Sequence, residues 1–506
     1  MPDSPAQDTL FLSRAHLIKT KTLHWLSAVV RHLACTTLVV WGASSQALGP
    51  HKSAAPRLNT PRPATAEQVY RLLTQASFGP TPAALRKGMP LGIDDWVNTQ
   101  LGLQAEVNPY TAFYRPKNPG DPVPKGDQRE IFKTFYRMAL CNEDQLRQRV
   151  AYALSQIFVI SMADPEVGDN PRGAASYMDL LYENAFGDYR VLLEKISRHP
   201  MMGLYLSHLR NLKEDGNTGR VPDENYSREL LQLFSVGLVR FDESTGHPTT
   251  TATYQQADVS GLAKVFTGWS WAGPDASDDR FNGKYLARDP DRMVMPMQAY
   301  ERFHSTAAKS FLGTTLPAGQ TAEQDLTAAL NTIAKDGNVG FFLGRQMIQR
   351  LVKSDPSPAY VQRVAHAFNT AKDEPNLKAL VRAVLLDEEA IARVANPALD
   401  GKLREPVLRL LAYLRAFNAV SLSGEYNVGN TDDPATQLGQ SPLRAASVFN
   451  FYRPGFVPPN TRAGALGMTV PEMQITHESS VAGYANYMRS AVQSGVGPFL
   501  TVNGKR

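Results

Sequence analysis

The stretch Thr65 to Pro80, TAEQVYRLLTQASFGP, decides the fold class. Thr65 followed three residues later by Gln68 has the spacing of a capping box, in which a hydroxyl and an amide satisfy backbone N–H groups left free by the first helical turn. Val69, Leu72, Leu73 and Ala76 then recur at three- and four-residue intervals, giving one apolar helix face, and Gly79 with Pro80 ends the element. The same periodicity predicts helices over 93–101, 127–161, 174–199, 222–237, 254–268, 321–335, 338–353, 357–371, 374–388, 401–418 and 472–492. Strand signals are sparse, the best around 281–303, where a short hairpin fits before the next helix. Irregular insertions at 107–126, 269–300, 421–434 and 450–471 read as long loops, where binding sites gather. The expected fold is therefore mainly α. It is a large multi-helix globular domain over 65–492 with long irregular loops and at most a short β-hairpin, followed by a C-terminal tail at 493–506. Two packed helical halves meeting near residue 320 are the alternative.

Upstream of this body the chain changes character. Basic residues up to Arg31 and His32 precede the apolar run LACTTLVVWGA at 33–43, and SSQA at 44–47 places Ser45 and Ala47 in small positions, the order of a secretory signal. Cleavage after Ala47 is the simplest reading, and a membrane anchor is the alternative. Arg31 and His32 interrupt the longer apolar stretch, so no stable span is expected in a mature chain. Residues 48–64, rich in Pro, Ala and Arg, read as an extended linker. The expected destination is a periplasm, cell envelope or extracellular space.

Residues 1–47 carry Arg14, Lys19, Lys21 and Arg31 against Asp3 and Asp8, so they contribute +2 of the formal net charge of +5. The remaining body is nearly balanced and has no Lys/Arg run, which argues against nucleic acid as a partner. Of two cysteines, Cys35 precedes the proposed cleavage point, so a processed chain keeps only Cys141 and forms no internal disulfide. Cys141 ends the apolar run FYRMALC and reads as a small buried hydrophobe.

The common catalytic templates are missing: there is no HExxH, GxSxG, SxxK, Walker loop or GxGxxG. Neither a metal nor a cofactor is implied by any motif. Four segments carry polar chemistry instead. In DENYSREL (223–230) and its continuation LQLFSVGL, Tyr226, Leu230 and Leu233 share one helix face, Asn225, Glu229 and Gln232 another, and Glu224 and Arg228 are spaced to pair. The polar face suits a ligand, a metal or a buried structural network. Asp258 falls in the first turn of the helix expected in YQQADVSGLAKVFTGWSW (254–271), where a carboxylate also favours the helix dipole. Trp269 and Trp271 read as core anchors or as a sugar platform. ERFHSTAAKSFLG (301–313) brings His304 and Lys309 into a polar loop, where an imidazole serves as base, ligand or structural hydrogen-bond partner. SVFNFYRPGFVPP (447–459) combines Phe449, Phe451, Tyr452, Arg453 and Phe456, able to line a groove or to close the core.

Taken in order, these segments resemble the family called domain of unknown function 1800, found in frequently exported bacterial proteins. The resemblance begins at RLLTQASFGPTPAAL (71–85) and includes RHPMMGLYLS (198–207), FLGRQMIQRLVKSDPSP (342–358) and KLREPVLRLLAYLRAF (402–417), covering about 66–490. Against the family pattern Asp223 replaces Asn, Ser227 replaces Ala, and Ser305 stands where an Asp is usual. The resemblance implies no activity. It does imply a possible partner, since members are often encoded beside an exported family similar to sulfatases and phosphatases.

Two functions of different class are therefore expected. The first is a non-enzymatic binding or accessory protein of the cell envelope, with Asn225, Arg228, Lys309, Trp269, Tyr452 and Arg453 as binding candidates. The second is a hydrolase of unfamiliar type in which Glu229, Asp258 and His304 converge on one cleft as catalytic candidates.

Overall fold

The Thr65 capping box forms as its spacing requires: Gln68 N donates to Thr65 Oγ1 at 3.2 Å, and Thr65 N donates to Gln68 Oε1 at 2.9 Å. It opens the helix Ala66–Ala76, which buries Val69, Leu72, Leu73 and Ala76. This is a computed structural model, and it describes residues 10–12, 63–116, 123–124, 126–284, 289–392 and 400–497. The apolar run and cleavage point of the signal-like segment lie outside them.

The described chain is mainly helical, and its strands form only short two-stranded antiparallel pairs. Helices Ala322–Lys335, Asn338–Leu351, Pro358–Asn369 and Asn376–Leu386 fall within two residues of the periodicity reading. Their start signals are local: a capping box from Thr321 to Gln324 opens the first, and Ser357 caps the third ahead of Pro358.

Several predicted helices are shorter or divided. The span 127–161 is two helices, Gln128–Cys141 and Gln145–Ser155, separated where Asn142 adopts extended backbone. The span 174–199 likewise divides into Pro171–Glu183 and Tyr189–Ser197, the second restarted by the Asp188 cap. Apolar periodicity runs on through both breaks because the two pieces line the same core. The strand expected within 281–303 exists at Gln298–Ala299, but its partner is Trp269–Ser270 upstream. Two further pairs join Val239–Phe241 to Pro248–Ala252 and Lys309–Phe311 to Thr314–Leu316. Leu10–Leu12 pairs with Ala419–Ser421.

One contiguous apolar cluster reaches from Val69 to Val496 in sequence. Cys141 is a correction: it is exposed, with Sγ 3.0 Å from the Tyr426 hydroxyl. It is the last residue of its helix, and the buried stripe passes through Met138 and Ala139 instead. Among the described residues no helix is long and apolar enough to cross a membrane.

The segment that positions the candidate site is 225–234. It begins as the α-helix Asn225–Glu229 and widens into the π-helical turn Leu230–Phe234, with Ser235 Oγ donating to Leu230 O at 2.6 Å. A π turn shifts the following side chains relative to an α-helix. Here Gln232 and Leu233 come to line a surface cleft.

Candidate functional site

Each candidate from the sequence has its own environment. His304 is fully buried, its Nδ1 2.8 Å from Thr267 O and its Nε2 2.9 Å from Asp325 Oδ2. Lys309 is equally buried, with Nζ 2.6 Å from the same Asp325 oxygen and donating to Ser305 O at 2.7 Å and Ala307 O at 2.9 Å. Both ring nitrogens of His304 thus face oxygens, and the lysine uses three acceptors. These groups tie the 301–311 segment to the helix Ala322–Lys335 and offer no solvent-facing atom to a substrate, a correction to reading them as a polar loop. The close approach depends on Gly268, whose φ of +75° is left-handed and where a Cβ would lie 2.8 Å from both His304 N and Tyr300 O.

Asp258 caps its own helix, Oδ2 accepting from Gln255 N at 2.7 Å, while Oδ1 accepts from Leu312 N at 2.7 Å and pins the 309–316 hairpin. Gly261 permits that contact, since a Cβ there would lie 1.8 Å from Ser310 O. Arg228 pairs with Glu224 at 3.0 Å, as its spacing predicts, and reaches Gln256 Oε1 at 3.1 Å. Asn225 is exposed and its backbone N–H is capped by Asp223. Glu229 departs from the exposed polar face expected for it. It is buried, Oε2 has no hydrogen-bond partner among the described residues, and burial raises its carboxyl above the usual range against the opposing pull of Arg228. Trp269 is a core anchor, 1% exposed, donating Nε1 to Val265 O at 3.2 Å, so it presents no face to a ligand.

Ser176 and His199 resemble a nucleophile and base, at 2.9 Å between Oγ and Nε2 in a second depression. The hydrogen bonds decide otherwise. His199 Nδ1 accepts from Met201 N at 3.2 Å, and burial holds the imidazole neutral by lowering it to about 3. The ring proton therefore sits on Nε2 and points at the serine, while Ser176 Oγ donates to Gly173 O at 3.0 Å. A base must accept that proton, and this imidazole donates.

The other two candidates belong to an open cleft of 710 Å³ between the π turn, the strand Val239–Phe241, the helix Asn338–Leu351 and the loop 448–457. Phe241, Phe342, Phe449 and Phe456 supply apolar wall, Leu238 and Val457 are exposed at its margin, and Arg453 lies 4.5 Å over the Phe449 ring. Within the loop Tyr452 is buried and anchors the wall, while Arg453 stands exposed on the rim.

Under the cleft lies a charged network. Glu405 Oε2 accepts from Tyr452 Oη at 2.7 Å and from Gln156 Nε2 and Gln440 Nε2, each at 2.8 Å. Lys402 pairs with Glu472, which also accepts from Ser354 Oγ at 3.0 Å. Arg350 donates to Gln156 O at 2.9 Å, and Arg149 donates to Arg350 O. Burial lowers both guanidinium groups, with Glu405 and Glu472 pulling the other way. Among the described residues no group of three His, Cys, Asp or Glu is arranged to hold a metal ion.

The description "Protein of unknown function (DUF1800)" matches residues 71–498. The chain belongs to that family. No curated protein matches it, and no solved structure does. In this DUF1800 chain, three of the ordered blocks, 342–358, 402–417 and 447–459, meet at the cleft and its floor through Arg350, Glu405 and Tyr452. Arg345, Arg350 and Glu405 within those blocks, and Glu472 beyond them, do not stand out in the sequence. The available signal was charge at buried helix positions: Arg149 and Arg350 sit among apolar residues of their helices, where an unpaired guanidinium is costly. The departures from the DUF1800 pattern are local. Ser227 is fully buried and its hydroxyl has no partner among the described residues, as expected at a position suited to Ala. Ser305 instead donates Oγ to Glu214 at 2.8 Å.

Proposed function

We propose that this DUF1800 protein is an exported, non-enzymatic binding or accessory protein of the cell envelope, and that it binds through the cleft walled by 448–457. One observation carries the reading: a 710 Å³ opening is lined mainly by apolar and aromatic side chains, over a floor held rigid by buried hydrogen bonds. The N-terminal order of basic, apolar and small residues supports export. The partner expected from the resemblance is an exported sulfatase- or phosphatase-like protein. The hydrolase reading has less support, because both Asp258 oxygens accept backbone N–H groups and His304 is enclosed with Asp325 and Lys309. Glu229 is the single member of that set with a free carboxyl oxygen among the described residues.

The test is capture from envelope extract by the full chain and by a Phe449→Ala/Phe456→Ala double variant with an unchanged melting temperature. Equal capture by the two would remove the cleft from the interaction. Retention of the intact N-terminus in a cytoplasmic fraction would remove export.

A further inference from the structure

The polar complement of the cleft has one sign. Its lining includes three arginines, Arg345, Arg350 and Arg453, four glutamine amides and Tyr452, with no carboxylate among the described residues. The carboxylates beneath are already engaged: Glu405 by three donors on one oxygen, and Glu472 by Lys402 and Ser354. The buried floor therefore holds Arg149, Arg350 and Lys402 against Glu405 and Glu472, one cation in excess before Arg345 is counted.

The unmet groups are mostly donors. Gln346 is 4% exposed and Arg350 3%, and neither Gln346 Nε2 nor Arg350 Nε has a hydrogen-bond partner among the described residues. No hydrogen bond or ion pair joins the Arg345 guanidinium to a described residue, and burial lowers it, with Asp355 the only charge pulling it back. Gln156 Oε1 is an acceptor of the lining that is buried without a hydrogen-bond partner among the described residues. Arg345, Gln346 and Arg350 lie on one helix, Asn338–Leu351. Buried cationic donors without partners are costly, and a fixed anion relieves that cost through charge-assisted hydrogen bonds. Around them the walls are aromatic and aliphatic, so what extends from the anion is apolar.

We infer that the cleft binds a small amphiphilic anion, a carboxylate or phosphate monoester whose charged head meets Arg345, Gln346 and Arg350 while its apolar body lies against Phe342, Phe449 and Phe456. The inference rests on the cleft being the binding site, as proposed above, and names the chemistry it selects. The head comes either from a free metabolite or from a lipid headgroup.

Calorimetry of the full chain at pH 7 with hexyl phosphate, hexanoate, hexanol and hexylamine tests it. The two anions bind about tenfold or more tightly than hexanol, as expected for losing one charge-assisted contact, and hexylamine does not bind. Arg345→Gln lowers anion affinity by about the same factor and leaves hexanol unchanged. It does not lower the melting temperature of the unliganded chain, since no protein partner is lost and an uncompensated charge is removed. Binding of the soluble anions assigns a free ligand; binding only to vesicles containing phosphatidic acid, a phosphate monoester, abolished by Arg345→Gln, assigns a lipid headgroup. Hexanol binding as tightly as the anions, an Arg345→Gln variant of full affinity, or no binding to any probe or vesicle overturns the inference. None of these results touches the envelope-capture test, which fails or succeeds on Phe449 and Phe456.

Discussion

Lys309 and Asp325 meet at 2.6 Å with both side chains wholly excluded from solvent, and His304 shares the same carboxylate oxygen. A buried pair is strongly destabilised when one partner is removed, because the other charge stays in low dielectric without a counter-charge. Asp325→Ala strands two cationic or polar groups at once and is expected to cost about 3–5 kcal/mol in urea unfolding. A cost below about 1 kcal/mol would show that the cluster is wetter than its burial implies.

Tyr452 joins the cleft wall to its floor. Tyr452→Phe removes one donor to Glu405 and leaves two, and a hydrogen bond to a charged acceptor contributes about 1.5–3 kcal/mol. We expect that loss in stability together with faster proteolysis of the 448–457 loop. Unchanged proteolysis would separate loop order from the Glu405 contact.

Ser227→Ala removes a buried hydroxyl that has no partner among the described residues. The change is expected to be neutral or to stabilise by about 1 kcal/mol, the desolvation penalty of an unmet hydroxyl. A measurable destabilisation would reveal a hydrogen bond to Ser227 Oγ.

Gly261→Ala places a methyl group against Ser310 O, where the helix Gln256–Ala263 meets the 309–311 strand. The backbone must move apart, at a cost of about 1–3 kcal/mol for overpacking. The Leu312 N–H to Asp258 contact lengthens with it, and amide hydrogen exchange at Leu312 should rise; unchanged exchange there would contradict the close approach.

Acid stability follows from opposed groups. Burial lowers His199 to about 3 and His208 to about 4, so below about pH 6.5 the unfolded chain binds protons that the folded chain refuses, and stability falls with pH. Burial pushes Asp179 up to about 6 against the hydrogen bonds from Thr111 and Tyr110, so between its ordinary value and 6 the folded chain binds the extra proton. That contribution is lost as pH rises, and it opposes the histidines. Melting temperatures from pH 7 to pH 4 should therefore fall more steeply in Asp179→Asn than in the parent chain, and less steeply in His199→Gln. Parallel curves for all three would refute these assignments.

The sequence by itself determined the helical class and many helix starts, because capping residues and three- to four-residue apolar spacing act within one or two turns. Thr65 with Gln68 and the Glu224–Arg228 pair form as spacing predicts. Local rules did not reveal which polar residues would be enclosed. His304 read as a loop imidazole because its partner Asp325 comes from a helix further along the chain, whereas Trp269 already read as a core anchor and is one. The cleft was half legible: Tyr452 and Arg453 stood out through their aromatic loop, but Arg345, Arg350 and Glu405 did not. Burial and charge pairing are decided between segments far apart in sequence, as when Tyr452 reaches Glu405 across 47 positions and Gln156 reaches the same oxygen across 249. Only the tertiary structure brings these segments together and thereby leaves the guanidinium of Arg345 facing the cleft without a partner among the described residues.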